Sequence, residues 1–339
     1  MTNVKYTDKK KLIEVIKEKG GWELEYASEE LRNDKEVALI AVKTGFDTLG
    51  FVSPELRADK EVVLAAFQEF GSWRMLKCVS ENLKSDKEVV LAAVRNDGLA
   101  LLWASENLKS DKEVVLTAVS SDAMALGYAS KELREDRDIV LAAVNKYGQA
   151  LRYASEELRG DKEVVLAAVS ESEDAFQYAS SELRGNSEFV LDVASKVKTG
   201  FAFRYASEEL RGDRDEVFKV VKLRGQALRY ASEELRGDRD IVLAAVRQNG
   251  YALQDASEEL RGDDAVVLAA ALRSRNALKF ANPFTAMAIE GVLRKNMYTP
   301  QEIAEGIEPT QTDINEVQAA IIQEQTKENA EQTKDAEQK

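Results

Sequence analysis

The chain has 339 residues and a formal charge of −14, with 44% hydrophobic and 32% charged residues. It holds one cysteine, Cys78, and no histidine. That excludes an internal disulfide framework, cysteine- or histidine-based zinc sites, and Ser-His or Cys-His catalytic pairs. No apolar run approaches the roughly 18 residues of a membrane-spanning helix. The first ten residues lack an apolar segment of signal-peptide length. Cytoplasmic folding is therefore expected, with non-classical secretion as an effector left open.

The charge is uneven. From Gln301 to Lys339 ten acids face three lysines, a charge of −7, while the body holds 51 acids and 44 bases. The body is nearly balanced and offers no basic patch, so neither nucleic acid nor a membrane is an expected partner.

In chain order, residues 1–25 read as an N-terminal capping helix and the start of the first repeat. Asp8 caps a lone helix that ends before Gly20. Residues 26–282 are tandem repeats of about 25 residues. A phrase close to Tyr-Ala-Ser-Glu-Glu-Leu-Arg recurs with its serine at Ser28, Ser53, Ser80, Ser105, Ser130, Ser155, Ser180, Ser207, Ser232 and Ser257. Asn282 takes the next place. Two steps are 27 residues long, around 70–75 and 195–200.

Each unit predicts a short helix before the serine, a second short turn after it, then a helix of about 11 residues. An Asp such as Asp238 caps that helix, and a left-handed glycine such as Gly250 closes it. Val242, Leu243 and Val246 predict the core stripe of the long helix, and Ala244 the exposed position. Leu151 and its equivalents, four residues before the serine, predict the facing core layer. Helices this short are marginal alone, so the units must stack. The expected fold is an all-α solenoid of about eleven helix-turn-helix repeats with capping helices at both ends.

Residues 283–300 read as the C-terminal capping helix, and 301–339 as an acidic polar tail. In the tail, Ile314, Val317, Ala320 and Ile321 mark a short docking or dimerising helix, followed by a segment too polar to fold.

The repeat, read as Ala-Leu-x-Tyr-Ala-Ser-Glu-Glu-Leu-Arg-x-Asp-Lys-Glu-Val-Val-Leu-Ala-Ala-Val, resembles the family called domain of unknown function 4116 (DUF4116). The copies around Ser155 and Ser232 match nearly residue for residue, and the resemblance spans Tyr26 to about Ala281. It implies an all-helical repeat and little more, since the family has no agreed activity.

Two columns recur with the period. Tyr26, Phe51, Trp103, Tyr128, Tyr153, Tyr178, Tyr205, Tyr230 and Phe280 form an aromatic column. Its favoured reading is packing between units rather than a base-stacking platform. Arg32, Arg57, Lys84, Lys109, Arg134, Arg159, Arg184, Arg211, Arg236 and Arg261 form a cation series. This series is expected to make ion pairs between adjacent units rather than a stripe for an acidic partner. The Gly-Asp turns at Gly160, Gly212, Gly237 and Gly262 have too few carboxylates for calcium. No cofactor or metal ligand is expected, and ten near-equal copies argue against a single catalytic centre.

Candidate binding residues sit where the repeat breaks. They are Trp73 and Arg74 at the first long step, Lys196, Lys198 and Arg204 at the second, and Asp255 where an aromatic is due. The expected function is a non-enzymatic solenoid that binds another protein along an extended face, as a monomer or a tail-mediated oligomer. The alternatives are a scaffold that oligomerises through Ile314–Ile322, or an effector that sequesters a host factor or small ligand.

Overall fold

In a computed structural model, the described residues are 4–45, 47–69, 73–295, 312, 315–319 and 322. Their regular elements are helices, with one isolated bridge between Tyr6 and Ala27. The chain divides into two compact parts, Met1–Ala179 and Ser180–Lys339. Each is an all-α repeat solenoid.

The long helices are numbered in chain order. The first part holds α1 (Lys9–Lys19), α2 (Lys35–Thr44), α3 (Lys60–Glu69), α4 (Lys87–Asn96), α5 (Lys112–Ser121), α6 (Arg137–Lys146) and α7 (Lys162–Glu171). The second holds α8 (Ser187–Lys196), α9 (Arg214–Leu223), α10 (Arg239–Gln248), α11 (Asp264–Arg273) and α12 (Pro283–Lys295). Each start follows from its cap. The Asp161 carboxylate accepts from the Val164 N–H at 2.9 Å, and Asp111, Asp213 and Asp263 do the same.

The segment before each serine is a 3₁₀ helix, such as Gly148–Tyr153, and it stops one residue short of the serine. The intervening Ala154 is extended, at φ −64° and ψ 156°. A tertiary contact explains the break. The Ser155 N–H donates to the carbonyl of Arg134 in the preceding unit at 3.0 Å. That bond draws the chain out of helical geometry, and the serine hydroxyl then caps the four-residue turn Glu156–Arg159. Ser53, Ser80, Ser105 and Ser130 make the same backbone pin, as do Ser207, Ser232 and Ser257 in the second part. A unit thus has three helical segments where the repeat suggested two.

The core lies between the 3₁₀ row and the long helices. Leu24, Leu49, Leu76, Leu101, Leu126 and Leu151 are fully buried, as are Leu228 and Leu253. Facing them, Ile241, Val242, Ala245 and Val246 are fully buried in α10, as are their counterparts Val164, Val165 and Ala168 in α7. Leu243 departs from its assignment to the core stripe: it is half-exposed and lies on the outer side of α10.

The glycines also depart from expectation. Only Gly20 and Gly200 have positive φ among the described glycines. Gly98, Gly148, Gly225 and Gly250 instead begin 3₁₀ helices that press against the next long helix. A Cβ on them would lie 2.2–2.4 Å from a backbone carbonyl oxygen of that helix. Close approach, not left-handed backbone, excludes a side chain there.

Neighbouring long helices are joined by an ion-pair ladder. Where a helix begins with a cation, that residue usually reaches the capping Asp of the next helix and often the acid two residues beyond it. Lys35 pairs with Asp59 and Glu61, Lys60 with Asp86 and Glu88, and Lys87 with Asp111 and Glu113, at 2.7 and 2.8 Å. Arg137 continues the row to Asp161 and Glu163. In the second part Arg214 joins Asp238 and Asp240, and Arg239 joins Asp263. This corrects the sequence expectation, which gave the inter-unit pairs to the cations after the leucine. Those pair within their own unit where they pair at all, as Lys84 with Glu81 and Lys109 with Glu106. Their backbone carbonyls reach the next unit, and the Arg184 guanidinium also reaches the Tyr205 carbonyl at 3.5 Å.

The ladder sets an acid limit. A hydrogen bond from the lysine ammonium, partly opposed by burial and aided by backbone N–H groups, holds Asp59, Asp86 and Asp111 below the usual carboxylate range. A carboxylate with a depressed folded-state pKa contributes stability above its unfolded value, and loses it as pH falls through the folded one. Urea midpoints are therefore expected to hold from neutrality down to about pH 4 and to decline below it. An Asp86→Asn/Asp111→Asn variant should show a smaller acid decline than the parent chain.

Candidate functional site

The long helices bury one side against the 3₁₀ row. Their other side carries one leucine per unit. Leu39, Leu64, Leu116, Leu141 and Leu166 are half-exposed in the first part, as are Leu191 and Leu243 in the second. Single exposed apolar residues are ordinary; here they recur at the same helical position within each part.

The row opens into a groove between α9 and α10. There Phe218 replaces the leucine of the repeat, and the groove has a volume of about 580 Å³. Phe218, Leu243 and Ala244 supply its apolar lining, and Arg214, Lys222, Arg247, Asp240 and Gln248 its polar rim. The Lys222 ammonium lies 5.5 Å from the centroid of the Phe218 ring. Arg214 is tied to Asp238 and Asp240, and the rim holds three cations against one acid beside a half-buried aromatic. That combination suits an apolar side chain flanked by acids.

Glu216, one turn away, stands where the other units place an apolar residue. It accepts from Ser187, and its carboxylate lies 2.7 Å from the Lys219 ammonium. Lys219 first, then Ser187, hold that carboxyl below its ordinary value. The pair replaces a ladder rung, because Ser187 stands in the cation's place. Phe218 and Glu216 were legible as departures from the repeat, but the sequence reading passed over them for the longer steps.

The sequence candidates fall in three places. Trp73 and Arg74 form a turn after the first long step. The Trp73 N–H donates to Asp97 at 3.2 Å, and the exposed Arg74 guanidinium lies 5.2 Å from the Trp73 ring centroid. Lys196 ends α8 and pairs with Asp192 at 3.2 Å, while Lys198 is exposed in the following bend. Arg204 lies over the ring of Tyr205, 5.7 Å from its centroid. The second long step is organised by Arg224, which the sequence reading did not single out. Its guanidinium donates to the carbonyls of Ser195 and Val197, and Gly200 supplies the left-handed turn at φ +89°. Asp255 is half-buried at the end of its 3₁₀ helix. Burial pushes its carboxyl up, against the opposing charges of Arg229 and Arg236.

The aromatic column is half-exposed along its length. Rings lie against the preceding unit: a Cβ on Gly127 would meet the Tyr153 ring at 2.8 Å, and Lys77 covers Trp103 at 5.2 Å. Packing between units therefore accounts for its geometry, with one edge of each ring left to solvent.

The architecture defines the class: a helical-repeat solenoid whose recurrent side chains build the scaffold and whose outer face varies. The family described as Domain of unknown function (DUF4116) matches residues 8–57, 59–109, 111–159, 161–211, 197–236, 213–261 and 238–284, so the chain belongs to that family. No curated protein and no solved structure matches it. No described helix is long and apolar enough to cross a membrane.

Proposed function

We propose that this chain is a non-catalytic module that binds another protein along the outer face of its long helices. The observation that carries the reading is the half-exposed leucine row, which widens at Phe218 into an apolar groove with a basic rim. A rigid repeat presents such a row without ordering cost, because stacking has already fixed the helices. An acidic, amphipathic segment of a partner protein fits the groove by shape and charge.

The test is capture from the native source with identification by mass spectrometry. Three immobilised forms are compared: the parent chain, Phe218→Glu/Leu243→Glu, and Glu156→Ala/Glu157→Ala in an exposed turn outside the long helices. The expected result is a partner retained by the first and third and reduced about a hundredfold by the second, as for loss of a central apolar anchor. Equal retention by all three overturns the assignment to this face. No specific partner with any form overturns the protein-binding reading.

A further inference from the structure

The last repeat is unlike the others, and its differences point one way. In α2 to α10 the second helical residue is always Glu or Asp, from Glu36 to Asp240; in α11 it is Ala265. The ninth residue is polar throughout, from Lys43 to Arg247; in α11 it is Leu272. The ladder cation that should begin the helix is replaced by an acid, Asp264. Each change removes a group that faces water or a following repeat.

α12 packs against the altered α11, and the described part of the tail lies beside its start. Every residue from Ala265 to Leu272 is buried, including Leu268 at 0% exposure, where Leu243 is half-exposed. Residues 315–319 are helical, and Val317 is fully buried. The neighbouring Gln318 side chain lies beside Asp264. Gln318 and Ile322 line a groove with Asp264, Asn282, Phe284 and Thr285, at the start of α11 and α12. Burial, with Asp263 alongside, raises the Asp264 carboxyl, as expected of an acid enclosed by a docked segment.

We propose that residues 315–319 dock in cis beside the start of α11 as part of the terminal element of the array, closing that end to a second copy. Two devices act together. The segment and α12 cover the apolar face that stacking would use. Asp264 also denies an incoming unit its ladder rung, since it would set a carboxylate against that unit's capping Asp. The reading runs against an oligomer held by the tail, and it does not depend on the partner-binding face. The earlier expectation for this helix also rested on Ile314, Ala320 and Ile321, which lie outside the described residues.

Amide hydrogen exchange on the full chain tests it. Val317→Asp charges the docked segment without touching any repeat, and Ala265→Glu restores to α11 the acid of the other units. Both are expected to speed exchange of residues 265–272 about tenfold, with exchange in α4 to α6 unchanged. Protection of these residues in the parent chain should be independent of protein concentration, and the parent should run as a monomer in light scattering. Unchanged exchange in Val317→Asp overturns the docking. Protection that falls on dilution overturns the cis assignment and gives the segment to a second copy.

Discussion

The Leu151→Ala variant is expected to lose about 2–5 kcal/mol of stability, the usual cost of emptying a fully buried leucine site. Leu151 is 0% exposed and lies in the 3₁₀ helix 148–153. That segment packs on both α6 and α7 and on the 3₁₀ helices of the units before and after it. Removing the side chain therefore opens a cavity at the meeting point of three units. Neighbours cannot close it without shifting the backbone pins through Ser155. Because a repeat array sums the stabilities of units and interfaces, the loss should be local. Exchange should quicken in residues 137–171 more than in α1 or α2. The control is Leu278→Ala in the last repeat, where the equivalent leucine is only half-buried. Its expected loss in urea unfolding is well under half that of Leu151→Ala. Equal losses would remove the 3₁₀ row from the core as described.

The second large effect is expected from Gly148→Val. A Cβ at this position would lie 2.2 Å from the Ala168 carbonyl oxygen and 3.0 Å from a Glu171 carboxylate oxygen. The first of these is backbone within α7 and cannot rotate aside. The Gly148 N–H also donates to the Glu171 carboxylate, so moving the chain away breaks a hydrogen bond. Forcing a branched side chain into this contact should cost about 1–3 kcal/mol. Ala123 occupies the same place in another unit at 2% exposure, which shows that one methyl is tolerated where the surroundings grew around it. Stability should therefore fall in the order glycine, alanine, valine. An alanine variant as damaging as the valine would point to backbone conformation rather than to crowding.

Both effects depend on features that the sequence exposes unequally. The period, the Asp caps and the buried leucines were readable because they are local or repeat exactly in step. An Asp three residues before an apolar run caps a helix whatever lies beside it. A leucine that recurs four residues before each serine can only be a layer shared by successive units. Family membership follows from the same regularity. The candidate site was legible only as a list of departures, and Phe218 and Arg224 were missed because each is an ordinary residue type in an ordinary place.

What the tertiary structure decided was which neighbour covers each face. In α10, Val242 and Leu243 are equally apolar and adjacent, yet one is fully buried and the other half-exposed. Helical spacing allows either stripe; the angle at which the next unit stacks chooses between them. The ladder shows the same division. Lys87 and Lys84 are both cations near acids, but only Lys87 meets the cap of the following helix, 24 residues away. Sequence alone determined that the units must stack, because none can bury its apolar side alone. Stacking geometry determined which leucines were left half-exposed and which, as at α11, were buried.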